Sequence, residues 1–375
     1  MKLRVIADNK IPFLKGLLDP YCDIDYLPAR DITHEAIADA DALLIRTRTI
    51  CNKNLLENTK VKFIASATIG FDHIDTQYCE QKGIYWTNAP GCNSGSVMQY
   101  VASALVSLQR QMGFRFSERT LGVIGYGNVG KKVVKLAELL GMRVVINDPP
   151  LAREKGNCGF VSFETLLKEA DIITIHTPLN YDGIDKTFHL FDNQSFQKVQ
   201  KNTLFINTSR GEVVDTQALI DAINNGTILY PVIDVWENEP AIDTTLLHKV
   251  FRGTPHIAGY SADGKSNATI MVVEELNRYF NLGIKSLNIA LSEPKDSLIT
   301  IDCNNLTFED IMFMAITHTY DLTTDFNRLI ANPLLFENLR DNYPLRREFK
   351  AYSVNAINCC SQISSVLSQL QFNII

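Results

Sequence analysis

The sequence contains no apolar run approaching the ~18 residues that a membrane-spanning helix needs. Its first residues, MKLRVIADNK, lack the apolar segment of a secretory signal. A cytoplasmic protein with no membrane partner is therefore expected. Positive charge is not in excess: 36 Lys and Arg against 42 Asp and Glu leave a net charge of −6. That balance argues against a nucleic-acid partner, although a local arginine cluster can still meet an anionic ligand. Cysteine is sparse and unpatterned, at positions 22, 51, 79, 92, 158, 303, 359 and 360, with no CxxC pair and with Cys359 beside Cys360. Neither a disulfide framework nor a zinc site is indicated, so reduced thiols and no metal are expected. No repeat or low-complexity tract interrupts the chain. At 46% hydrophobic and 21% charged, its 375 residues are those of a globular protein too long for one core, which predicts two or three domains.

What is present is most concentrated between Thr120 and Asp148, reading TLGVIGYGNVGKKVVKLAELLGMRVVIND. A short apolar run enters Gly125-Tyr126-Gly127-Asn128-Val129-Gly130, a helical stretch follows, and a second apolar run ends at Asp148. Strand, glycine turn, helix, strand, acid is the order of a dinucleotide-binding βαβ unit. Gly125 permits the tight turn, Gly127 removes a Cβ from the path of a pyrophosphate, and Gly130 lets the helix approach the strand. Asn128 and Val129 open the helix, whose free N–H groups face the phosphates. Asp148, 18 residues past Gly130, is placed to accept from ribose hydroxyls and to repel a 2′-phosphate, which favours NAD over NADP.

Before this unit, residues 3–7, 41–45 and 62–65 read as buried strands separated by helix-length sequence, a small parallel α/β domain. Ligands of such sheets sit beyond the carboxyl ends of strands, where Arg46-Thr47-Arg48-Thr49 and Thr68 fall. Arg46 and Arg48 flank Thr47, and alternation puts them on one face if the strand continues. One or both are candidates for a substrate carboxylate or phosphate, the alternative being a solvated basic edge. Ser94 or Ser96 is placed to cap a helix running to about Gln109. After Asp148, apolar runs alternate with helical stretches, giving a doubly wound sheet. A long helix from about Ser266 to Phe280 then leads back toward the first domain. Beyond residue 285 the rhythm is lost: Thr307-Phe308-Glu309-Asp310 reads as a capped helix start and residues 347–354 as a strand.

Three loops that follow strands carry chemistry. They are Asn207-Thr208-Ser209-Arg210-Gly211, Asp234-Val235-Trp236-Glu237-Asn238-Glu239-Pro240 and Thr254-Pro255-His256-Ile257-Ala258-Gly259-Tyr260. Imidazoles titrate near neutrality, so His256 can take a hydroxyl proton as hydride leaves. A carboxylate at Glu239 would fix its tautomer, and a guanidinium at Arg210 would grip a substrate carboxylate. His34, His73, His176, His189, His248 and His318 lack this setting and read as structural or surface residues.

GYGNVG, HTPL, INTSRG, DVWENEP and TPHIAG together resemble the D-2-hydroxyacid dehydrogenase superfamily over about residues 1–285. The resemblance implies an α/β fold of two Rossmann-like, doubly wound parallel-sheet domains. Residues 1–93 with 260–285 would bind substrate and residues 94–259 would bind NAD. It implies Arg210, Glu239 and His256 as catalytic residues, and Thr177, Thr208, Ser209, Arg210, Asp234 and Gly259 as NAD contacts beside the glycine turn and Asp148. HIAGY followed by SADGK, NAPGCNSGSV, ATIGFDHID and the long tail resemble a branch acting on a phosphorylated 2-hydroxy acid. That branch implies substrate contacts at Thr47, where a serine is the expected residue, and at Thr68 and Tyr260. It also implies a homodimer formed partly through a C-terminal α/β dimerisation domain, residues 286–375. Arg346 and Arg347 in this tail are further candidates for a phosphate. The competing readings are another member such as D-3-phosphoglycerate dehydrogenase and an NAD-sensing binding protein on the same fold.

Overall fold

Runs of aliphatic residues with few polar interruptions become the central strands of two parallel sheets, because strands covered on both faces must be apolar throughout. A computed structural model describes residues 2–156 and 159–375. Cys158, among the expected thiols, lies outside the described residues. The chain divides into two compact units, Met1–Asn93 with Ser261–Ser292, and Ser94–Tyr260 with Glu293–Ile375.

In the first unit β1 (Arg4–Asp8), β2 (Asp23–Leu27), β3 (Ala42–Ile45), β4 (Phe63–Ser66) and β5 (Tyr85–Thr87) form a parallel sheet in the order β2-β1-β3-β4-β5. The reversal of strand order beside β1 marks this as a doubly wound sheet. Sequence periodicity had indicated β1, β3 and β4 but neither edge strand. β2 and β5 are partly exposed and short, so they lack a buried apolar run. The helix Ala262–Phe280 packs Val272, Val273 and Leu276 into the core that holds Phe63 and Ala65. It starts ahead of the expected Ser266 because the Ser261 side chain caps it, accepting from the Gly264 N–H at 2.8 Å.

In the second unit β6 (Thr120–Ile124), β7 (Arg143–Asn147), β8 (Ile172–Ile175), β9 (Thr203–Asn207), β10 (Ile228–Ile233) and β11 (Arg252–Gly253) pair in parallel. Their order is β11-β10-β9-β8-β6-β7. The loops carrying Arg210, Glu239 and His256 each follow one of these strands at its carboxyl end. The helix Ser94–Met112 packs on Asn128–Leu139 and on the tail helix Phe308–Thr319. Ser96 does not cap the first of these: it lies within the helix and its hydroxyl donates to Glu348 Oε1 at 2.9 Å.

The tail builds a third, smaller parallel sheet, β12 (Leu298–Asp302), β13 (Ser353–Ile357) and β14 (Asn373–Ile374), in that order. The capped start expected at Thr307 is a full capping box with Asp310. The strand expected over 347–354 begins only at Ser353, after a short 3-10 turn at Phe349–Ala351. Expected as a domain of its own, the tail instead shares a core with the nucleotide-binding half. Ile299, Ile311, Phe349, Val354 and Leu367 join Leu105, Val133 and Leu136 in one cluster, while Leu329 and Phe336 join Trp236 and Leu247 in another.

Two further expectations are corrected. Cys303 and Cys359 are joined as a disulfide with Cα atoms 5.1 Å apart, rather than remaining free thiols. They follow the ends of neighbouring strands β12 and β13, an adjacency that spacing along the chain does not reveal. The alternation invoked for Arg46 and Arg48 does not apply, because β3 ends at Ile45 and the Thr49 N–H closes a turn onto Arg46 O at 3.2 Å. No helix of the described residues is long and apolar enough to cross a membrane.

Candidate active site

The glycine turn has the geometry its sequence implies. Gly125 sits at φ 90°, and a Cβ there would lie 2.5 Å from His176 O. At Gly130 a Cβ would meet Gly125 O, so helix and turn touch backbone to backbone. Gly127, by contrast, faces open space where a pyrophosphate fits. It caps the helix Asn128–Leu139, leaving the first N–H groups, those of Asn128, Val129 and Gly130, at the exposed end. Asp148, at the end of β7, accepts from the Tyr126 N–H at 2.7 Å and from the Leu151 N–H at 3.0 Å. Its carboxylate is thereby fixed beside the turn.

After β8, His176 lies between two hydroxyls, Thr174 at 3.0 Å and Thr208 at 3.3 Å. Burial pushes its imidazole down to about 3, so it is a neutral spacer. Thr177 Oγ1 next to it is buried without a hydrogen-bond partner. Such orphans are uncommon and mark a place for a ligand group. Together with the open space at Gly127 and the acceptor at Asp148, it fits a dinucleotide.

After β9, Asn207 pins the loop by accepting from the Ser209 N–H and hydroxyl and donating to Arg210 O at 3.1 Å. Arg210 donates through Nη1 to Ser209 O at 2.8 Å, which orients the guanidinium. After β10 and β11 come the two residues that matter most for proton transfer. His256 Nδ1 lies 2.8 Å from Glu239 Oε2, and Glu239 Oε1 accepts from the Trp236 N–H at 2.9 Å. Because a carboxylate only accepts, the imidazole proton sits on Nδ1 and the Nε2 lone pair is left for substrate. Burial opposes the charge on Glu239, but the hydrogen bond and charge of His256, the Trp236 N–H and the charge of Arg340 outweigh it. They hold the carboxyl below its ordinary value.

Asp234 keeps this loop in place. It is fully buried and accepts from the Thr254 hydroxyl at 2.6 Å and the Ile257 and Ala258 N–H groups at 2.8 and 2.9 Å. Tyr100 supports Thr254 in turn at 2.7 Å. Burial raises the Asp234 carboxyl against these donors and the charge of His256. Gly259 and Tyr260 follow directly.

The tail enters this site differently from the phosphate contact expected of Arg346 and Arg347. Arg346 is buried and spends every N–H on protein. It donates to Gln99 Oε1, Ser96 O, Tyr343 Oη, Ile257 O and Ala258 O, the last at 2.6 Å. Its expected role as a phosphate ligand is therefore corrected: it clamps the His256 loop. The Arg347 carbonyl accepts from Gln99 Nε2 at 2.9 Å. Arg340 reaches Glu239 itself, with Nη1 at 3.9 Å from Oε2. An arginine pair in a tail carries no local motif, so neither contact has a sequence signal beyond the abundance of basic residues there.

In the first unit, Thr68 follows β4 and is held by its neighbours. Its hydroxyl donates to Gly70 O at 3.0 Å and meets Ser66 Oγ at 2.6 Å, and Ser66 meets His73 Nε2 at 2.9 Å. Thr47 and Arg48 are exposed at the end of β3. Arg46 is drawn back onto the buried Asp8, Nε to Oδ2 at 3.1 Å and Nη2 to Oδ1 at 3.4 Å. A buried carboxylate needs such a partner, so this arginine is in part structural.

Residues 96–258 match the family described as D-isomer specific 2-hydroxyacid dehydrogenase, NAD binding domain. The chain is 50% identical over 356 residues to an erythronate-4-phosphate dehydrogenase of Bacteroides thetaiotaomicron, covering 95% of this chain and all of that protein. It is 37% identical to one of Proteus mirabilis over 99% of both chains. Among solved structures, a D-lactate dehydrogenase of Aquifex aeolicus complexed with NAD and lactic acid superposes with a TM-score of 0.61 at 24% identity, over 74% of this chain and 95% of that one. An NAD-dependent formate dehydrogenase of Staphylococcus aureus gives 0.58 at 21%, over 76% and 97%. These two establish the shared fold, and the near full-length relatives establish more. The chain belongs to the erythronate-4-phosphate dehydrogenase family, NAD-dependent oxidoreductases within the D-isomer specific 2-hydroxyacid dehydrogenases.

Proposed function

We propose that the protein oxidises 4-phospho-D-erythronate to (R)-3-hydroxy-2-oxo-4-phosphobutanoate with NAD, a step in pyridoxal 5′-phosphate formation, as a cytoplasmic homodimer. The observation that carries the chemistry is the 2.8 Å hydrogen bond from His256 Nδ1 to Glu239. The near full-length likeness to enzymes named for this substrate supports its identity.

When bound, NAD supplies the hydride acceptor. The protein's own groups do the rest. His256 Nε2 accepts the proton of the substrate's 2-hydroxyl, and the imidazolium that results is stabilised by Glu239. Arg210, already oriented by Ser209 O, offers further N–H donors to the substrate carboxylate and to the oxygen that becomes a carbonyl. Thr47, Thr68 and Tyr260 are the proposed substrate contacts, with Arg48 and the unspent donors of Arg46 for the phosphate. For NAD, the proposed contacts are the turn from Gly125 to Gly130, Asp148, Thr177, Thr208, Ser209, Arg210 and Gly259. Asp234 joins them through Oδ2, which accepts one protein donor where Oδ1 accepts two.

The test is NADH formation with 4-phosphoerythronate against 3-phosphoglycerate, backed by reoxidation of any enzyme-held NADH with an added 2-keto acid. The proposal expects kcat/KM to favour the former by at least about 100-fold, two factors of ten in transition-state binding. Preference for 3-phosphoglycerate overturns it.

A further inference from the structure

The tail places a second arginine beside the proton-transfer pair. Arg340 lies in the short helix Phe336–Asp341, and its Nη1 stands 3.9 Å from Glu239 Oε2, the oxygen that also meets His256 Nδ1. The Tyr260 side chain, four residues past His256, interacts electrostatically with the same guanidinium. Other charge near it comes from Glu337 on the same helix. The side chain is 25% exposed, yet Nε is buried with no hydrogen-bond partner. The contrast with Arg346 is informative. That arginine saturates its donors on backbone and neutral side chains, as a structural cation does. Arg340 instead stands within ion-pair distance of one member of the catalytic pair, interacts electrostatically with one proposed substrate contact, and keeps a donor unspent.

We propose that Arg340 is a positioning residue for the dehydrogenase reaction: it shares the Glu239 carboxylate with His256 and interacts with the Tyr260 phenol. The tail is then part of the active site as well as of the fold. Glu239 must hold the imidazole in one tautomer and one direction, and without Arg340 its Oε2 is held only by the imidazole it must position. A fixed cation on the same oxygen, with the Trp236 N–H on the other, removes that dependence. Tyr260 interacts with the same guanidinium, so base and substrate contact are coupled through one charge. A planar, forked guanidinium serves two partners at once, which a lysine ammonium does less well.

The inference rests on the dehydrogenase reading above, and wild-type turnover of 4-phosphoerythronate in the same assay tests that reading separately. The variants are Arg340→Gln and Arg340→Lys in the full-length protein, with thermal melts to confirm folding and fluorescence titration for NAD. Misplacing a catalytic group by about an ångström costs on the order of 100-fold in rate. The expected result for Arg340→Gln is a kcat about 10- to 100-fold below wild type with NAD affinity unchanged within about threefold. Arg340→Lys, keeping charge without the fork, recovers part of kcat. A folded Arg340→Gln with wild-type kcat overturns the proposal. So does loss of NAD binding or of folding in both variants alike, which would make Arg340 a structural residue.

Discussion

His256 holds its ring on a backbone with φ 56°, a left-handed conformation that side-chain-bearing residues rarely adopt. What over-determines it is the set of bonds around it: its own N–H to Asp234 O at 2.8 Å, the Asp234 carboxylate on the next two N–H groups, and Arg346 on the next two carbonyls. Strain of this kind persists where surrounding structure enforces it, commonly at catalytic positions. Glu239→Gln is expected to lower kcat by about 10- to 1000-fold, because the amide no longer stabilises an imidazolium. A steady-state assay at pH 8 reads this. The same residue gives a stability prediction. Its folded-state carboxyl is held below the ordinary 4.5, so the stabilisation it brings is present above that value and is lost as pH falls through the depressed one. The gap in Tm between wild type and Glu239→Gln should therefore hold steady down to about pH 5 and narrow below pH 4.5; a gap constant to about pH 3 would show that the charge is not the source. Asp148→Ser removes the carboxylate from the ribose position and should shift the NAD to NADP preference toward NADP by more than about tenfold, a change of about 1.4 kcal/mol. Arg210, Glu239 and His256 were legible in the sequence because each follows a strand end within a short motif. Arg340 and Arg346 were not, since their partners lie in the loops after β10 and β11, far back along the chain, and only folding brings them together.

Elements were legible in proportion to how fully they are buried. β3, β4, β8 and β9 are enclosed on both faces and read as continuous apolar runs. β2 and β5 sit at sheet edges, where partial exposure removes both the run and a clean alternation. The long helix was recognised, but its start was placed late because Gly264, the weakest helix former but proline, interrupts the pattern near its beginning. Ser261 sets that start as a cap. The clearest local signal in the tail, Thr307 with Asp310, is also the easiest to test. Thr307 Oγ1 accepts from the Asp310 N–H at 3.1 Å and donates to its carboxylate at 2.6 Å. Thr307→Ala should cost about 1 kcal/mol of stability, the usual worth of an N-cap, read as a lower denaturation midpoint with unchanged slope. No change would mean that packing of Ile311, Met312 and Ile316 alone sets this helix.

For the whole molecule, the tail changes what counts as the catalytic unit. It contributes to both hydrophobic clusters of the nucleotide-binding half and clamps the loop that carries His256. Removing residues 293–375 should therefore abolish NAD binding along with activity, by uncovering the apolar faces of the helices that flank the sheet; a soluble truncated protein with wild-type NAD affinity would refute this. The sequence indicated the tail by the loss of βαβ rhythm, yet its shared core was hidden, because Ile299, Phe349 and Val354 meet partners near residues 105 and 133 only in three dimensions. Sedimentation of the intact protein tests the proposed homodimer, for which a mass near twice 42.1 kDa is expected. The central claim is that this fold exists to let His256, held by Glu239, take the substrate's hydroxyl proton while NAD is bound. The most direct measurement is NADH formation from 4-phosphoerythronate by His256→Ala, with NAD binding followed in parallel. The account predicts a fall in kcat of about 100- to 10,000-fold with NAD affinity within about threefold of wild type. Turnover unchanged by the substitution would contradict it.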